Sequence, residues 1–129
     1  MGMFNIMTKD MGIDLGTANT LIYIKDSGIV LNEPSVIAFD KRSGKVLAVG
    51  LEAKNMIGKA PTNIEVVRPL RDGVISDFDR TADMLTKFIE KVVSSNKVKN
   101  FRVVVGVPSG VTDVEKRAVN EVVRQLGAS

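Results

Sequence analysis

The order of elements legible in the sequence is β-β-β, a stretch of short mixed elements, then α-β-α, and this order predicts an α/β fold. Three observations carry that prediction. Met11-Gly12-Ile13-Asp14-Leu15, Leu21-Ile22-Tyr23-Ile24 and Gly28-Ile29-Val30-Leu31 are short, strand-like and separated by residues that turn. Leu85, Phe88, Ile89, Val92 and Val93 recur at helical spacing. Arg102-Val103-Val104-Val105-Gly106-Val107 is a nearly continuous apolar run ahead of a second helical period.

Taken in order, the first two strands form a hairpin around the small and polar residues 16–20. The third follows the Lys25-Asp26-Ser27 turn, and Pro34 is expected to interrupt it. Residues 33–71 then change texture. They offer short elements at 35–39 and 46–49, a brief helix near 52–57 that Gly58 and Pro61 would end, and a run through Ile64-Glu65-Val66-Val67 to Arg68-Pro69. This stretch reads as a small subdomain inserted between the first sheet strands and the later helices. Asp79 is placed to cap the helix carrying Leu85 and Phe88. The apolar run at 102–107 is expected to be the central strand, buried on both faces. Thr112 and Glu115 have the T-x-x-E spacing of a capping box before a helix with Ala118, Val119, Val122 and Leu126 inside.

The 129 residues are 44% hydrophobic and 26% charged, enough for one modest core. Lys and Arg outnumber Asp and Glu by 18 to 15, but they are scattered among acids, so nucleic acid is not an expected partner. With neither cysteine nor histidine, the chain has no disulfide, no thiolate or imidazole metal ligand and no imidazole base. No apolar run approaches the roughly 20 residues that span a bilayer, and a cytoplasmic location is the expectation.

The chemistry-bearing feature is Asp14-Leu15-Gly16-Thr17-Ala18-Asn19-Thr20. Gly16 and the small residues after it allow backbone amides to approach an anion closely, as in the amide nests that cradle phosphate oxygens. Asp14, at the base of the loop, is a hard oxygen donor suited to Mg²⁺ through a water molecule. The same residues also suit a plain hairpin turn, with Gly16 and Asn19 supplying positive φ and Asp14 satisfying turn amides. The segment Val107-Pro108-Ser109-Gly110 adds weight to the first reading, because it follows a buried strand and α/β sheets place ligands at strand carboxyl ends.

Gly12-Ile13-Asp14-Leu15-Gly16-Thr17-Ala18-Asn19-Thr20 resembles the first phosphate loop of the actin and sugar-kinase superfamily. Asn32-Glu33-Pro34-Ser35-Val36, Val49-Gly50-Leu51-Glu52-Ala53-Lys54, Arg68-Pro69-Leu70-Arg71-Asp72-Gly73-Val74-Ile75 and Val107-Pro108-Ser109-Gly110-Val111-Thr112 narrow the resemblance to MreB, the bacterial actin family that governs rod shape. The resemblance implies an actin-like (ribonuclease H-like) larger subdomain, discontinuous over residues 1–32 and 73–129, with a small α+β insertion at residues 33–72, the first half of a two-domain fold. It implies ATP and Mg²⁺ as ligands, with Gly16, Thr17, Ala18 and Asn19 at the phosphates and Asp14 at the metal through water.

By the same resemblance, the second phosphate loop and the water-positioning glutamate lie beyond Ser129, so this segment holds half a site. It is expected to be inactive alone, within a parent that is a slow ATPase. Glu115 is read as a capping residue, and no catalytic residue is assigned. Expected partners are further copies in a filament, the inner membrane surface, and cell-shape and wall-synthesis membrane proteins, with the protein peripheral at the inner face of the cell membrane. Met3, Phe4, Ile6 and Met7, or Val98 and Phe101 with flanking Lys97, Lys99 and Arg102, are the candidate membrane contacts; the alternatives are a frayed terminus for the first set and a loop anchored by Phe101 packing for the second. Two related readings remain: the nucleotide-binding domain of a heat-shock chaperone, which shares Gly12 to Thr17, and a sugar or acid kinase of the same superfamily.

Overall fold

Alternation of side chains builds the first sheet. In the computed structural model, which describes residues 8–96 and 100–126, β1 (Thr8–Leu15) buries Met11, Ile13 and Leu15 and turns Asp14 to the opposite face, as the two-residue period of a strand requires. β2 (Asn19–Ile24) pairs antiparallel with β1, and β3 (Gly28–Pro34) pairs antiparallel with β2, which is the expected meander. β3 runs through Pro34 instead of stopping before it. It is an edge strand, where a missing N–H costs no ladder bond.

β4 (Ile37–Asp40) is the centre of a second antiparallel sheet, flanked by β5 (Val46–Val49) and, after the short α1 (Leu51–Lys54), by β6 (Ile64–Val67). Val36, Ala38, Ala48 and Ala53 form a small cluster on one side of this sheet, while Ile37 joins the main core on the other. β7 (Leu70–Arg71) and β8 (Val74–Ile75) form a tight hairpin across residues 72 and 73, with Asp72 and Gly73 both at positive φ.

α2 (Phe78–Asn96) presents Met84, Leu85, Phe88, Ile89 and Val92 to the core. Full burial of a side chain such as Phe88 contributes about 1.5–3 kcal/mol relative to exposure. The helix begins two residues earlier than Asp79 would allow as its cap. Asp77 accepts the Arg80 N–H at 3.1 Å, and Asp79 lies inside the first turn. The second sheet is tied to α2 by Arg80, which stacks on Phe39 and donates to the Gly44 carbonyl, while Glu33 of β3 bridges α2 and α1 by accepting from Lys91 and the Leu51 N–H.

β9 (Asn100–Gly106) lies parallel to β1, giving the order β3-β2-β1-β9. The apolar run is therefore an edge strand, not the central one. Only one of its faces is covered among the described residues: Phe101 and Val105 are buried, whereas Val104 is 77% exposed. α3 (Asp113–Gln125) follows, with Val119 and Val123 in the core and the capping box of Thr112 and Glu115 formed in both directions. Glu115 is thus a cap, as its spacing indicated. Of the candidate membrane residues, Phe101 is in the core at 1% exposure, so it is no membrane contact in this fold. Met3, Phe4, Ile6, Met7, Lys97, Val98 and Lys99 lie outside the described residues. No helix of the described residues is long and apolar enough to cross a membrane.

Candidate phosphate-binding site

The loop at residues 16–19 is the turn of the β1–β2 hairpin. Because β1 and β9 run parallel with Asp14 opposite Gly106, their carboxyl ends emerge on the same rim of the sheet. The sequence-picked segments 14–20 and 107–110 are therefore brought together at that rim, the place where α/β sheets take ligands. Gly110 closes its own loop onto the β7–β8 hairpin by donating its N–H to the Gly73 carbonyl at 3.0 Å.

Neither Gly16 nor Asn19 has positive φ, so the plain-turn reading of these two residues does not hold. Gly16 is needed for closeness. Its N–H donates to the Asn19 carbonyl at 3.1 Å, and a Cβ at Gly16 would fall inside 3.0 Å of that oxygen. The N–H groups of Thr17 and Ala18 have no partner among the described residues. Asn19 N–H points away from β3. The bond from Ser35 N–H to the Ala18 carbonyl makes Asn19 and Pro34 a non-hydrogen-bonded pair, in which N–H groups point away from the partner strand. Asp14 is exposed, on the face opposite the core, flanked in register by Leu21 and Gly106.

Two amides without partners, with that of Asn19 turned from β3, beside one exposed carboxylate, make a donor set that fits a polyphosphate with a hydrated divalent cation. A cation held through water needs few protein carboxylates, and among the described residues no group of three or more acidic or other metal-ligating side chains gathers.

Two residues that sequence reasoning passed over complete the loop. Ser35 and Thr20 are both fully buried. The Ser35 hydroxyl donates to the Gly16 carbonyl at 2.6 Å, and the Thr20 and Ser35 hydroxyls lie 2.9 Å apart. Both residues stood inside quoted motifs, but only the β2–β3 register, which sets Asn19 opposite Pro34, brings them together.

A family model described as MreB/Mbl protein matches residues 8–129. The chain belongs to the MreB/Mbl family. Mbl of Bacillus subtilis, a cell shape-determining protein, is 51% identical over 122 residues, which is 95% of this chain and 37% of that protein. MreB of Escherichia coli, also a cell shape-determining protein, is 52% identical over 132 residues, covering 98% of this chain and 37% of its own length. The chain thus spans little more than a third of the curated relatives it matches.

Among solved structures, MreB5 of Spiroplasma citri bound to ADP superposes with a TM-score of 0.79 at 37% identity, covering 95% of this chain and 36% of that one. MamK bound to AMPPNP superposes at 0.70 with 24% identity and supports the fold alone. The MreB/Mbl chain is therefore a partial actin-like α/β fold. The family match over residues 8–129 also decides against the chaperone and kinase readings.

Proposed function

We propose that this chain supplies one wall of the ATP site of an actin-like protein that assembles into filaments and determines rod shape by organising wall synthesis at the inner face of the cell membrane. The observation that carries the nucleotide reading is the rim loop, with the partnerless amides of Thr17 and Ala18 beside the exposed Asp14. MreB5 of Spiroplasma citri, bound to ADP in one structure and to AMPPNP in another, supports it. The filament reading follows from the resemblance to the bacterial actin family, whose model matches residues 8–129.

In this reading Thr17, Ala18 and Asn19 N–H groups donate to phosphate oxygens, and Gly16 keeps the backbone close enough for them to reach. Asp14 accepts from water on the metal, orienting it at the phosphates. Mg²⁺, when bound, supplies neutralisation of phosphate charge. The second phosphate loop and the hydrolytic carboxylate belong to the remainder of the full-length protein. Nucleotide held between the two halves biases a hinge, and thereby the competence of the subunit for assembly. Further copies, the membrane surface, and cell-shape and wall-synthesis proteins are the partners.

The test is Asp14→Ala in a full-length family protein carrying this segment. Loss of a charge-assisted bond should raise the Kd for Mg-ATP by roughly ten- to a hundredfold. The difference from wild type should shrink when Mg²⁺ is chelated. Because Asp14 is exposed, unfolding free energy should change by no more than about 0.5 kcal/mol. Equal affinity for Mg-ATP in the two proteins would contradict the assignment. A wild-type protein that stays monomeric by sedimentation with Mg-ATP at every ionic strength would sink the filament reading.

A further inference from the structure

Ser35 stands at the first crossing from the larger sheet to the smaller one, between the end of β3 at Pro34 and the start of β4 at Ile37. It grips the rim loop twice. Its hydroxyl donates to the Gly16 carbonyl at 2.6 Å and its N–H to the Ala18 carbonyl at 2.9 Å. A serine hydroxyl has one hydrogen. Since Ser35 spends it on Gly16, the 2.9 Å contact with Thr20 must be a donation from Thr20 to Ser35. The result is a directed chain, Thr20 to Ser35 to Gly16, in which each bond polarises the next. Both hydroxyls are fully buried, where an unmet polar group is costly. The chain therefore has one favourable arrangement.

What that arrangement does follows from peptide geometry. There are no cis peptides among the described residues, and in a planar trans peptide the C=O and the following N–H point in opposite directions. Turning the Gly16 and Ala18 carbonyls onto Ser35 turns the Thr17 and Asn19 N–H groups away from it. We infer that Ser35, oriented by Thr20, is a positioning residue that aims the Thr17 and Asn19 amides at the phosphates and transmits displacement of the smaller sheet to them.

The coupling to the smaller sheet is direct. Val36, next to Ser35, accepts the Gly50 N–H at 2.9 Å and lies at 0% exposure in the small cluster of that sheet. One residue from the loop clamp, the backbone is thus part of the smaller sheet. Rotation of that sheet against the larger one pulls on the Gly16 and Ala18 carbonyls. Phosphate affinity and the angle between the two sheets are thereby linked.

The inference rests on the nucleotide reading above, and its test separates the two. Ser35→Ala, the isosteric Thr20→Val and the hydroxyl-retaining Thr20→Ser are made in a full-length family protein carrying this segment, with Ser43→Ala as a control in a distant turn. Mg-ATP affinity is measured by calorimetry, and amide hydrogen exchange is measured without nucleotide. Ser35→Ala and Thr20→Val should raise the Kd on the order of tenfold, while Thr20→Ser and Ser43→Ala stay near wild type. In the nucleotide-free protein, the Gly16 and Ser35 amides should exchange faster in Ser35→Ala and Thr20→Val, with the β4–β6 ladder unchanged.

Loss of protection spread evenly over the protein, or Thr20→Ser as weak as Thr20→Val, would show a merely structural role and overturn the inference. So would unchanged Kd and unchanged loop exchange in Ser35→Ala beside a wild type that binds. A wild type that takes up no Mg-ATP would instead overturn the nucleotide reading, and the aiming role with it.

Discussion

Adding one methyl group at Gly16 probes the loop most directly. An ideal Cβ there lies under 3.0 Å from the Asn19 carbonyl oxygen, and ordinary contact begins at 3.4 Å. The carbonyl and residue 16 must therefore part by more than about 0.4 Å. The same carbonyl accepts the Gly16 N–H at 3.1 Å, so the separation carries that bond past about 3.5 Å, where it ceases to count as one. Losing it costs about 0.5–1.5 kcal/mol of stability. The larger effect falls on the amides, because a displacement of about 1 Å in a preorganised site costs on the order of a hundredfold.

Gly16→Ala in a full-length family protein should therefore lower the unfolding free energy by about 1 kcal/mol in urea. Its Kd for Mg-ATP should rise by at least about tenfold in calorimetry. The disproportion between the two is the signature. A Kd within about twofold of wild type, with the stability loss present, would refute the claim that the loop's closeness serves the ligand.

Gly12 is crowded differently, since a Cβ there would run into the ring of Tyr23, a side chain 53% exposed. Gly12→Ala should destabilise, and adding Tyr23→Ala should recover part of the loss, with a coupling of about 0.5–3 kcal/mol in a double-mutant cycle. Thr112→Ala removes the hydroxyl that accepts the Glu115 N–H, leaving the backbone half of the capping box on α3 in place, and should cost about 1 kcal/mol, with faster amide exchange in the first turn of α3. The N–H groups of Ser43 and Arg42 hold the Asp40 carboxyl below its ordinary value of 3.8. Its contribution is complete above that value and is lost as pH falls through the lower folded-state pKa. The acid limb of an unfolding titration should thus be shallower in Asp40→Asn than in wild type.

The meander, both long helices and the Thr112 cap were readable because each depends on short-range rules: a period of two, a period of 3.6, and a hydroxyl three residues from a carboxylate. Where local rules conflicted with context, the sequence misled. Val103, Val104 and Val105 read as a doubly buried strand, but β9 lies at the edge and Val104 faces outward. Pro34 read as a break, but an edge strand tolerates it. Asp79 read as the cap, but the chain enters α2 two residues earlier and Asp77 takes that place. Phe101 read either as a membrane contact or as the packing anchor of its own loop, and parallel pairing with β1 carries it into the core, in line with the second reading.

The loop on which the functional reading rests divides in the same way. Residue types alone determined that Asp14 to Thr20 could bring amides and a carboxylate to an anion, because smallness at Gly16 and Ala18 and the charge of Asp14 are properties of the residues themselves. Tertiary structure decided why the loop holds its shape. Thr20 and Ser35 are fifteen residues apart, and they meet only because β2 and β3 pair in one register. Ser35 then reaches back to two carbonyls of a loop formed before it in the chain. Hydrogen bonds between strands depend on register, and register is fixed by which faces the whole core buries, a property that no single stretch of sequence contains.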